Sequence, residues 1–138
     1  MAFVGKWNFD RAENMEEFLV AAGAPSDVVS DAVRKRGSVE YSQAGDNCTI
    51  KTVSSEGTLE RTFQCGKPFE MEIPGYGKKA TVVASNEGGK LVFRGSGADK
   101  ITETREVQGD TMVVTLTKPG VDIAGKCFFS IDKTSRKF

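Results

Sequence analysis

The sequence predicts an all-β fold of ten short antiparallel strands with a helical insertion after the first, closed into an up-and-down barrel rather than stacked as a sandwich. Three observations lead there. From residue 38 onward, turn-forming clusters recur at a steady beat: QAGDN (43–47), SSEG (54–57), CGKP (65–68), PGYG (74–77), NEGG (86–89), GSGAD (95–99), QGD (108–110) and KPG (118–120). Gly, Pro, Asn and Asp supply the dihedrals that tight reversals need. The segments between them are short and mostly alternate apolar with polar, the period of a half-buried strand. Consecutive strands joined by short turns are antiparallel neighbours, so a meander is the simplest path. A sandwich with a solid core fits the same pattern. Closure has the advantage of removing exposed edges, and ten strands enclose more room than the side chains of an eight-stranded barrel fill.

Each element follows in turn. FVGKWNF (3–9) alternates, with Phe3, Gly5, Trp7 and Phe9 on one face. Met15, Phe18, Leu19 and Ala22 then fall at helical spacing and stop at Gly23. Pro25 and Ser26 open a second helix through Val28, Val29, Ala32 and Val33, ending in the basic run Arg34, Lys35 and Arg36, which suits a helix C-terminus. Nine strands follow. PFEMEI sets Phe69, Met71 and Ile73 against Glu70 and Glu72, and TMVVTLT sets Met112, Val114 and Leu116 against threonines and Val113. The expectation is a single domain, 1–138, with a helical cap over about 13–36.

Composition narrows the function. Acids and bases balance at 19 each, so no net field attracts nucleic acid or a membrane. The cysteines (Cys48, Cys65, Cys127) have no metal-knuckle or redox spacing, and an odd, scattered set fits free thiols in a reducing compartment. The opening residues lack the basic flank and apolar run of a signal peptide, so the expectation is a soluble cytoplasmic protein. Histidine, the commonest general base and metal ligand, is missing altogether. With no nucleophile motif or phosphate loop either, the chain reads as a binding protein without a catalytic, cofactor or metal site.

One strand carries a charge where none is expected. In ITETREV (101–107), Ile101, Glu103, Arg105 and Val107 share a face. If that face is the inner one, a guanidinium enters the interior and needs an anion. An unpartnered buried cation costs several kcal/mol. Glu103, two residues away on the same face, is one candidate partner.

Several stretches line up in order with the intracellular lipid-binding proteins, the fatty-acid- and retinoid-binding family. Phe3-Val4-Gly5-Lys6-Trp7 resembles its F-x-G-x-W opening, and Glu13-Asn14-Met15-Glu16-Glu17-Phe18 its first helix. Thr49-Ile50-Lys51-Thr52 with Ser54, Phe63 to Glu70, Gly88-Gly89-Lys90-Leu91-Val92 and Arg105-Glu106-Val107 resemble later motifs of the same family. The resemblance implies a barrel of two near-orthogonal sheets, capped by two helices and holding one apolar acid.

It also implies site residues. Arg105 falls at the family's internal arginine. The last strand departs from the family's R-x-Y, with Lys126-Cys127-Phe128 the best match and a shift placing Phe129 at the aromatic position left open. The expected site joins Arg105, Lys126 and Phe128, with Glu103 tempering the charge. Met15, Phe18, Ala32, Ser54, Val114 and Leu116 complete the lining. At the portal, Glu56 replaces an aromatic gatekeeper and Lys78 an arginine.

The implied function is non-catalytic carriage of a long-chain fatty acid or similar hydrophobic carboxylate by a monomer. A retinoid or other lipid without a carboxylate is the alternative, favoured by Phe128. A bilayer-stacking role is opposed by zero net charge, and a thiol or isomerase reaction at Cys127 has nothing nearby to lower its pKa. Arg34, Lys35 and Arg36 are either a solvated helix end or a contact for anionic lipid during transfer.

Overall fold

The computed structural model describes residues 3–23, 36–54, 57–72, 79–95 and 101–132. Ten antiparallel strands form one continuous sheet: β1 (Gly5–Glu13), β2 (Arg36–Ala44), β3 (Asn47–Ser54), β4 (Gly57–Phe63), β5 (Pro68–Glu72), β6 (Lys79–Glu87), β7 (Lys90–Gly95), β8 (Thr102–Gln108), β9 (Thr111–Thr117) and β10 (Gly125–Ile131). Their order is β4-β3-β2-β1-β10-β9-β8-β7-β6-β5, so the first and last strands pair and the sheet curls into a nearly closed barrel. The predicted beat of turns and strands matches this order. Between β6 and β7, for example, Gly88 and Gly89 both take positive φ (61° and 85°), the backbone a two-residue hairpin turn demands.

Among the described residues, closure is incomplete at one seam, where the sheet's two end strands, β4 and β5, share no ladder. Aromatic packing joins them instead: Phe63 and Phe69 stack with centroids 5.4 Å apart, and both meet Phe93 of β7 edge-on at 5.0 and 6.2 Å. The Gly66 N–H, in the turn between the two strands, bonds the Ala84 carbonyl of β6 at 2.8 Å.

β1 is longer than the alternation of residues 3–9 predicts. Arg11, Ala12 and Glu13 continue the ladder opposite Phe128, Cys127 and Lys126, after a bulge between Phe9 and Arg11. Asn14 then turns the chain in a left-handed conformation (φ 54°), which an Asn side chain tolerates, into α1 (Met15–Ala21). Met15, Phe18 and Leu19 of α1 are buried, as their spacing predicts, and Lys118 bonds the Ala22 carbonyl at the helix end. The second predicted helix, with Val29, Ala32, Val33, Arg34 and Lys35, lies outside the described residues, as do Glu56 and Lys78. Ser54 is the last residue of β3 and Arg36 the first of β2.

The core follows the period of two. Trp7, Val39, Tyr41, Ile50, Phe63, Ala84, Leu91, Phe93, Met112, Val114, Leu116, Phe129 and Ile131 all turn inward. The Trp7 indole N–H is satisfied by the Phe3 carbonyl at 2.9 Å. Among the described residues, Cys48, Cys65 and Cys127 form no disulfide.

Candidate functional site

β8 alternates without interruption. Ile101, just before it, and Glu103 and Arg105 within it are buried, while Thr102, Thr104 and Glu106 face the other way. Register places Arg105 between Leu91 of β7 and Val114 of β9, and Glu103 between Phe93 and Leu116. Both charges are thus fixed in the barrel wall and aimed inward, at 7% and 5% exposure.

Glu103 is the hub. Its Oε2 accepts from Arg105 Nε at 2.9 Å and from Arg61 Nη1, on β4, at 3.0 Å. Arg105 Nη1 donates in turn to the Tyr41 hydroxyl on β2. Phe93 supplies an aromatic floor, its ring centroid 4.9 Å from the Arg61 guanidinium carbon and 6.0 Å from that of Arg105.

Protonation states follow from these contacts. Burial pushes the Glu103 carboxyl up, but attraction and hydrogen bonds from Arg105 and Arg61 outweigh it and hold the carboxyl at about 2. Burial opposes charge on Arg105 too, yet Glu103 and Tyr41 more than compensate and raise its pKa. Burial raises the Tyr41 phenol against the pull of Arg105, so it stays neutral. Among the described residues, two guanidiniums face one carboxylate, and one positive charge is left over.

The last strand differs from expectation. Lys126 is exposed, and Phe128 faces outward, where the Arg11 guanidinium carbon lies 3.9 Å from its ring centroid. The inward residues of β10 are Gly125, Cys127, Phe129 and Ile131. Packing sets this register: Gly125 lies under α1, where an added Cβ would come within 2.9 Å of Met15 Sδ, and a side chain as long as lysine has no room. Because side chains alternate strictly, Lys126 must then point outward. The lysine is therefore no part of the interior site, and Cys127, opposite Val114, occupies the inward place beside the Arg105 row.

Of the other expected lining residues, Met15, Phe18, Val114 and Leu116 are buried in the core. Arg61 and Tyr41 were not anticipated. Each shares a face with apolar neighbours that turn inward, Phe63 two places after Arg61 and Val39 two places before Tyr41, and that alternation was the available signal.

A sequence model of the lipocalin / cytosolic fatty-acid binding protein family matches residues 1–126. Fatty acid-binding protein type 2 of Fasciola hepatica is 34% identical over 116 residues, covering 83% of this chain and 88% of that protein. The liver fatty acid-binding protein of Schroederichthys bivius is 35% identical over 117 residues, covering 85% and 90%. The solved structure of a Schistosoma mansoni fatty acid binding protein in complex with arachidonic acid superposes with a TM-score of 0.86 at 24% identity, over 96% of this chain and 97% of that one, a likeness of fold. With the barrel, the buried arginine and the sequence relationship in agreement, the chain belongs to the lipocalin / cytosolic fatty-acid binding protein family.

Proposed function

We propose that the protein binds a long-chain fatty acid, or a similar hydrophobic carboxylate, inside the barrel and transports it. The observation that carries this reading is the inward, buried Arg105 in a polar cluster with one surplus positive charge, surrounded by an apolar wall. A fatty acid complements both parts. Its tail gains about 0.8 kcal/mol per buried methylene, and its single anion meets the surplus charge. The names of the relatives at 34% and 35% identity support the same ligand class.

The role requires no bond to be made or broken, and the protein works as a non-catalytic, monomeric, cytoplasmic carrier. The family's own description supports that location, and no helix among the described residues is long and apolar enough to cross a membrane. Arg34, Lys35 and Arg36 belong to this proposal as a transient contact for anionic membrane.

Titrating palmitate and hexadecanol into wild type and Arg105→Gln tests the reading. Wild type is expected to prefer the acid by about tenfold, the worth of a charge-assisted hydrogen bond, and the variant to lose that preference. Equal binding of acid and alcohol by wild type overturns it. A retinoid or other lipid without a carboxylate is the second reading. Phe129, inward on β10 with no hydroxyl to offer, favours it; the two guanidiniums count against it.

A further inference from the structure

We propose that Glu103 is a resident counter-ion that restricts the site to singly charged head groups, and that Arg61 of β4 supplies the second cation of that site. The proposal rests on the fatty-acid reading above and deepens it. Arg61 and Arg105 come from strands far apart in the sheet yet converge on one oxygen, Glu103 Oε2. The carboxylate already holds the two guanidiniums together, so the site is preorganised before any ligand arrives.

Its charge sets what it accepts. Each guanidinium carries five N–H donors. Among the described residues, Arg105 commits Nε and Nη1 to protein acceptors and Arg61 commits Nη1, which leaves donors on both for an incoming anion. A monocarboxylate neutralises the cluster. An uncharged alcohol leaves the surplus charge buried, and a dianionic phosphate monoester overshoots and brings its second charge against Glu103. The Tyr41 hydroxyl, fixed by Arg105, and the Phe93 ring beneath both guanidiniums hold the donors in place.

The test compares palmitate, hexadecanol and hexadecyl phosphate at pH 8, where the phosphate carries about two charges. Arg61→Gln removes the surplus charge and is expected to cut the palmitate preference over hexadecanol about tenfold. Glu103→Gln doubles the surplus and is expected to shift the palmitate-to-phosphate ratio about tenfold toward the phosphate. The double variant restores a single surplus charge on Arg105 alone, and the wild-type order of the three ligands is expected to return. Hexadecanol binding reports whether each variant keeps its barrel. If Glu103→Gln fails to fold, the comparison of Arg61→Gln with the double variant decides the matter. An unchanged preference in Arg61→Gln, an unmoved ratio in Glu103→Gln, or no recovery in the double variant overturns the proposal. Absence of any acid preference in wild type brings down the fatty-acid reading itself, whereas a wild-type preference indifferent to these variants brings down this inference alone.

Discussion

Tyr41 accepts a hydrogen bond from Arg105 across 64 residues of chain, and three strands separate their own strands in the sheet order. The bond therefore spans the interior instead of running along a ladder. It links β2 to β8 through one phenol. Tyr41→Phe keeps the ring, which lies 5.6 Å from the guanidinium carbon, and removes the acceptor. The expected cost is about 1–3 kcal/mol, because a buried donor loses its partner. Urea unfolding is expected to show a lower midpoint with an unchanged slope.

Acid should loosen the fold through Glu103. Its folded pKa of about 2 lies below the ordinary carboxyl value, so pairing stabilises the protein fully above that ordinary value. The stabilisation is lost as pH falls from about 4.3 toward the folded value. Urea midpoints between those limits are expected to fall more steeply for wild type than for Glu103→Gln, which has no carboxyl to protonate. Parallel curves would show that other groups govern acid sensitivity.

Lys126 offers the opposite kind of test. It is exposed on the outer face of β10, so Lys126→Ala is expected to leave palmitate affinity unchanged and stability within about 0.5 kcal/mol. A large loss of affinity, measured by calorimetric titration, would return the lysine to the binding site.

Gly125 lies where β10 passes under α1. A methyl group there would approach Met15 Sδ at 2.9 Å, Phe18 Cβ at 3.1 Å and Met15 Cα at 3.3 Å. Gly125→Ala is expected to destabilise the protein by about 1–3 kcal/mol through overpacking, seen as a lower thermal midpoint. In a Met15→Ala background, which removes the sulfur but not the backbone contact, Gly125→Ala is expected to cost less than in wild type, though not nothing.

The barrel was legible in the sequence because turn chemistry and a period of two are local signals, and ITETREV alone sufficed to put Arg105 and Glu103 on one face. β10 was harder. Lys126, Phe128 and Ser130 share a face, as do Cys127, Phe129 and Ile131; with an aromatic residue on both, motif matching favoured Lys126-Cys127-Phe128. Weighing the whole strand points the other way, since Lys126 and Ser130 are polar and every member of the other set is apolar. Arg61 and Tyr41 were legible as inward residues from Phe63 and Val39. Their meeting with Glu103 was not, because it depends on how a curled sheet brings remote strands face to face.

Among the described residues, the rings of Phe63 and Phe69, not a hydrogen-bonded ladder, join this barrel's wall at one place. Elsewhere, widening the wall would break paired amides and expose them at a cost of about 1–3 kcal/mol each when no water can replace the partner. Between β4 and β5 the contact seen among the described residues is a stack of aromatic rings, which carries no paired amides. Arg61 stands on β4, two residues from Phe63. The strand that ends at this aromatic seam is thus the same one that carries a cation to Glu103 inside.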